Sequence, residues 1–254
     1  MTEAGWRVEV LPDSAALADA VADLFVRTAR DAVAERGAFG VALSGGSTPR
    51  AMFERLAKRP RADQVPWGAT HVFWSDERAV PPDHPESNYR LAADTLLDHV
   101  PIPENQVHRI HGEDDVTDAA LRADAALRAF GDEGALDLVL LGLGTDGHTA
   151  SLFPGTDVVE RIEAGNDLPW VVSTYVPQLD THRITFTVEP IIRARSVVFV
   201  VSGDAKATTV RDVFSGSQTA PVLPARRVAS SVDAPQWWLD RDAASGLAQA
   251  SDSG

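Results

Sequence analysis

Short apolar runs alternate with segments whose apolar residues recur every three or four positions, along most of the chain. That alternation predicts an α/β fold: a mostly parallel, doubly wound, Rossmann-like sheet with helices on both faces. Strands are expected at residues 6–11, 40–43, 71–74, 138–141, 170–174 and 196–202. After the first, Leu17, Val21, Leu24, Phe25 and Thr28 keep helical spacing, with Ser14 placed to cap them. Thr48 and Pro49 suit the cap and first turn of a helix reaching about residue 59. Further helices are expected at about 88–98, along Val116, Ala120, Ala123, Leu127 and Phe130, and at about 204–214, with 76–87 a polar, proline-rich loop. The six tryptophans, Trp237 and Trp238 among them, are expected to pack the core and a C-terminal strand. No linker or repeat interrupts the pattern, so residues 1–254 read as one domain, with about 244–254 a frayed polar tail.

Charge narrows the partners. The formal net charge is −14, whereas nucleic acid or an anionic membrane calls for a basic face, so neither is expected. An anionic ligand would need a local basic pocket inside a repelling field. The chain has no cysteine, which excludes disulfides and thiolate metal sites. No apolar run approaches the roughly 20 residues that span a bilayer. The opening MTEAGWRVEV lacks the basic start and apolar stretch of a signal peptide. These features predict a cytoplasmic protein, and no apolar surface helix is left over, so a monomer is expected.

The candidate chemistry sits where strands end. The buried run of residues 138–141 opens into GLGTDGHTASLFPG, where Asp146 and His148 emerge beside Gly142, Gly144 and Gly147. A histidine there can sit neutral near pH 7 and accept a proton from water or substrate. Ser44, Gly45, Gly46, Ser47 and Thr48 follow the strand ending at Leu43. They read either as a phosphate cradle at a helix start or as a tight turn with a hydroxyl cap. Asp76, Glu77 and Arg78 read as a solvated cluster or as a triplet placing Arg78 on an anion. Arg183 and Lys206, surface charges when taken singly, gain meaning because SGDAK also follows a strand. Ligands of open parallel sheets bind outside the carboxyl ends of the strands, so these segments should share one crevice. The GxGxxG string at 142–147 does not make a nicotinamide or flavin site, since strand 170–174 ends without the ribose-binding acid. His108 and His111 form an HxxH pair without a nearby acid or cysteine pattern for zinc.

With these segments in hand, the chain resembles the 6-phosphogluconolactonase family. The blocks LSGGSTP, WSDERAVPPDHPESNYRLA, LLGLGTDGHTASLFPG, RITFT, VSGDAKA and WWLD stand in the expected order over nearly the whole length. The resemblance implies hydrolysis of a phosphosugar lactone, 6-phosphoglucono-δ-lactone, without metal or organic cofactor. It implies His148 as general base, Asp146 in a supporting role, and phosphate at the 44–48 loop with Arg183 and Lys206. Arg78 and Asn88 would hold phosphate or ring hydroxyls, and backbone N–H groups of the Gly144 to Gly147 turn would meet the oxyanion. The related glucosamine-6-phosphate deaminases carry Asn-Glu-Pro after DGH, where this chain has Leu152, Phe153 and Pro154. They also read Asp-Glu-Tyr where Asp76, Glu77 and Arg78 stand. Both departures favour the lactonase; a non-catalytic sugar-phosphate sensor of the same fold is the further alternative.

Overall fold

A computed structural model of the chain describes residues 5–131, 134–215 and 223–251. In chain order the elements are β1 (Arg7–Leu11), α1 (Ser14–Arg36), β2 (Phe39–Leu43), α2 (Ser47–Leu56), α3 (Arg61–Gln64), β3 (Thr70–Trp74), β4 (Asp76–Arg78), α4 (Asn88–Thr95) and α5 (Val116–Arg128). There follow β5 (Leu138–Leu141), α6 (Asp157–Glu163), β6 (Val171–Val176), β7 (Thr181–Phe186), α7 (Val188–Ile192), β8 (Val197–Val201), α8 (Ala207–Ser215), α9 (Pro224–Ser231), β9 (Gln236–Asp240) and α10 (Arg241–Ser251).

Six strands form a sheet in the order β1-β9-β8-β5-β2-β3, and every described pairing in it is parallel. The fold is thus a mostly parallel α/β sheet flanked by helices. Its central strands are apolar throughout because both faces are covered; every residue of β2 and β5 is buried. Helix α1 turns Leu17, Val21, Phe25 and Ala29 inward, one per turn, and Phe25 meets Phe39 of β2 edge-on at 5.2 Å. Trp237 of β9 stacks on Phe199 of β8 at 4.1 Å, closing the core on the other side.

A second, antiparallel sheet, in the order β4-β7-β6, was not expected from the sequence. Part of the supposed loop at 76–87 is therefore a strand. Three residues are too few for a periodic signal, and their partner, RITFT, lies more than a hundred positions downstream. The caps also differ. Asp13, not Ser14, starts α1, its carboxylate accepting from Ala16 N at 2.8 Å, where an anion also meets the positive helix end. Helix α2 starts at Ser47 behind Gly46 and has no side-chain cap, so the expected hydroxyl cap is absent. It ends at Leu56, and α4 stops at Thr95, because the fully buried Leu96 leaves helical geometry. The segment expected to fray from 244 is helical to Ser251: α10 packs on α8, and its alanine-rich sequence favours helix. Residues 252–254 lie outside the described ones. Among the described residues, no helix is long and apolar enough to cross a membrane.

Candidate active site

From β2 the chain crosses to β3 on one side, while β5 lies on the other, so the loops after β2 and β5 part company at their carboxyl ends. That divergence opens a crevice. A cavity of about 530 Å³ occupies it, and the small antiparallel sheet forms one wall. Ser44, Gly45, Gly46, Ser47 and Thr48 line it from the loop after β2, Arg78 from β4 and Asn88 from the start of α4. Gly144, Asp146 and His148 come from the loop after β5, Arg183 from β7 and Lys206 from the turn after β8. The expected residues thus share one cavity, except Gly147. That glycine holds φ +83° with Leu223 packed over it, so it shapes the turn from behind and does not line the site.

Adjacent strand-exit residues need not face each other, yet Asp146 and His148 do. His148 Nδ1 lies 2.5 Å from Asp146 Oδ1, and the His148 N–H reaches the same oxygen at 3.2 Å. A carboxylate partner requires the proton on Nδ1, which leaves Nε2 as the acceptor. Burial pushes the Asp146 carboxyl up, but the hydrogen bond and charge of His148 outweigh it and hold the group below its ordinary value. Phe153 stacks on the imidazole, centroids 4.0 Å apart, and so limits its rotation.

Gly144 makes room for the pair: a Cβ there would stand 2.1 Å from His148 Nδ1 and 2.5 Å from Asp146 Oδ1. Gly144→Ala is therefore expected to displace the imidazole and lower kcat by about tenfold or more, since small misplacements of catalytic groups are costly. Steady-state kinetics beside a thermal melt would separate this from unfolding. The turn's N–H groups are less available than the sequence suggested. Gly144 donates to His148 O at 2.8 Å and Gly147 to Gly144 O at 3.1 Å, so neither is free to meet an oxyanion. Thr145 N–H has no hydrogen-bond partner among the described residues.

The opposite wall is cationic. Arg78 and Arg183 face each other directly across the β4–β7 ladder, an arrangement of like charges that destabilises a sheet. Neither forms an ion pair among the described residues, nor does Lys206. Arg78 Nη1 donates to Glu86 O at 2.6 Å, while its buried Nε has no hydrogen-bond partner among the described residues. Burial, and then the charge of Arg78, push the Arg183 pKa down; burial does the same to Lys206 against the pull of Asp146. Repulsion of this kind is relieved by an anion between the guanidinium groups.

The sequence reading did not single out Asp76, Ser151 or Phe153 for the cavity. Asp76 is buried, accepts from Ser151 Oγ at 2.6 Å, and receives Asn88 Nδ2 on its backbone oxygen at 2.9 Å. Gly45 gives way to that asparagine, for a Cβ there would lie 1.8 Å from Asn88 Oδ1. Asp76 shares a face of β4 with Arg78, a relation that the sequence could not show because the three-residue strand gives no periodic signal. The HxxH histidines part company: His108 stacks on Phe73 and hydrogen-bonds His71. Contrary to the expectation of no acid nearby, His111 lies beside Glu113 and Asp114, which follow it closely in the sequence, but those carboxylates are already held by Arg109 and Arg122.

Fold and site together are those of an α/β enzyme in which an imidazole–carboxylate pair faces cations that form no ion pair among the described residues. Residues 12–237 match the family described as glucosamine-6-phosphate isomerases/6-phosphogluconolactonase, and the chain belongs to it. A 6-phosphogluconolactonase of Nostoc is 38% identical over 250 residues, covering 94% of this chain and 98% of that one. A probable chloroplastic 6-phosphogluconolactonase of Oryza sativa is 40% identical over 246 residues, 91% of this chain and 73% of that one. The crystal structure of 6-phosphogluconolactonase from Thermotoga maritima superposes with a TM-score of 0.77 at 28% identity, over 92% of this chain and 98% of that one.

Proposed function

We propose that the chain hydrolyses 6-phospho-D-glucono-1,5-lactone to 6-phospho-D-gluconate, the reaction for which its relatives are named. One observation carries the reading: the Asp146–His148 pair opens into the same cavity as three cations that form no ion pair among the described residues. The phosphate binds at the 44–48 loop. There the first turn of α2, free of a side-chain cap, offers its N–H groups, and Arg183 and Lys206 supply charge. Arg78, directly opposite Arg183, and Asn88 hold the rest of the substrate.

His148 Nε2 takes a proton from water, and the hydroxide adds to the lactone carbonyl at C1. The oxyanion needs a preorganised donor, for which the unengaged Thr145 N–H replaces the two glycines. Collapse breaks the bond to the ring oxygen, which recovers the proton from His148. Asp146 holds the Nδ1 proton and stabilises the imidazolium between the two transfers. These steps use only protein groups and water, and the new carboxylic acid then ionises.

Proton release from freshly made lactone, corrected for its spontaneous opening, tests the proposal. Acceleration by the wild-type protein is the expected result. Ammonia release from glucosamine 6-phosphate without lactone hydrolysis would overturn it in favour of the deaminase, and binding without turnover would make the protein a sensor.

A further inference from the structure

Glu77 stands between two residues that line the cavity but faces away from it, as strand alternation requires. It is 2% exposed, and no cation among the described residues forms an ion pair with it. Its oxygens are instead saturated by four donors. Oε1 accepts from the backbone N–H of Arg78 and of Asn88, both at 2.8 Å. Oε2 accepts from Tyr89 N at 2.8 Å and Ser87 Oγ at 3.1 Å. A single carboxylate oxygen therefore ties together the backbones of two residues whose side chains reach the cavity from different elements.

Burying a carboxylate without a counter-ion is costly, and these hydrogen bonds offset the cost. Burial pushes the Glu77 carboxyl up, and the backbone donors act against it. Ser87 caps α4 through Arg90 N at 3.1 Å, and Glu77 takes the first-turn N–H groups of Asn88 and Tyr89 that this cap leaves open. The bond to Arg78 N reaches outside the helix, so capping accounts for only part of the arrangement. The knot extends to the reaction side. Asn88 Nδ2 donates to Asp76 O, and Asn88 Oδ1 packs against Gly45, so a shift at the start of α4 would move Arg78, Asn88 and the 44–48 loop relative to one another.

We infer that Glu77 is a positioning residue for the phosphosugar: its carboxylate fixes the separation of the Arg78 guanidinium and the Asn88 amide that grip the substrate. The inference rests on the proposed lactonase reading. It predicts a specific kinetic signature, since groups that hold the non-reacting part of a substrate contribute binding common to ground and transition states.

The test is steady-state lactone hydrolysis by wild type, Glu77→Ala, Glu77→Gln, Arg78→Met and the double variant Glu77→Gln/Arg78→Met, each with a thermal melt. Glu77→Ala is expected to raise KM by about tenfold, the equivalent of one net hydrogen bond, with kcat little changed. Glu77→Gln keeps the volume and one oxygen for Arg78 and Asn88, so its rise should be smaller. It should also add less in the Arg78→Met background than in wild type, because the two residues act on one contact. A fall in kcat at constant KM, in step with lost folded protein, would reduce Glu77 to a structural residue. If Glu77→Ala does not fold, an unchanged KM in Glu77→Gln overturns the inference alone. Absence of hydrolysis by wild type overturns the reading beneath it.

Discussion

Replacing His148 by alanine is expected to lower kcat for lactone hydrolysis by about 10²–10⁴, the usual contribution of a general base. The fold should tolerate the change. The side chain is 30% exposed, and the bond from Gly144 N to the His148 backbone oxygen does not depend on the imidazole. KM should move little, because the ring holds a proton and not the phosphate. Proton-release kinetics beside a circular dichroism melt would check both halves; a variant within a few-fold of wild type would assign the proton transfer elsewhere. The Asp146 shift sets the pH sense of the pair. Its carboxyl lies below the ordinary value, so its stabilising contact is complete above that value and is lost as pH falls through the lowered one. Asp146 therefore stays ionised through the neutral and mildly acidic range.

Arg183→Met separates function from stability. Losing one charge-assisted contact to phosphate, worth about 1.5–3 kcal/mol, should reduce kcat/KM by about 10–150-fold. The same change removes a guanidinium that faces Arg78 and forms no ion pair among the described residues, and methionine retains an apolar stem. The melting temperature in phosphate-free buffer should therefore rise while activity falls, and inorganic phosphate should stabilise the variant less than wild type. A variant that melts lower than wild type, or that keeps its kcat/KM, would remove Arg183 from phosphate binding.

The main sheet was legible because buried parallel strands are continuous apolar runs: FGVAL and LVLL announce themselves without neighbours. Strand-exit logic likewise brings Ser47, His148 and Lys206 to one crevice, since each follows the carboxyl end of a buried strand. The antiparallel sheet was not legible. Its β4 is three residues long, and the pairing of Arg78 with Arg183 follows from a contact across the chain that leaves no local periodicity. Asp146 facing His148 was likewise beyond the spacing alone, because it depends on backbone angles within the turn. Glu77 illustrates the commonest loss: a charged residue in a polar triplet reads as solvated, and only the fold reveals it as buried.

The placement of β9 between β1 and β8 has a consequence for biosynthesis. Among the described residues, β1 finds its only strand partner in β9, so residues 7–11 must wait for residues 236–240, more than two hundred positions later. Pairings that distant in sequence form late and slowly. On the ribosome, β2, β3, β5 and β8 can associate while residues 7–11 remain an unpaired, half-apolar edge. Emergence of residues 236–240, more than any step in the middle of the chain, is then the event that seals the sheet.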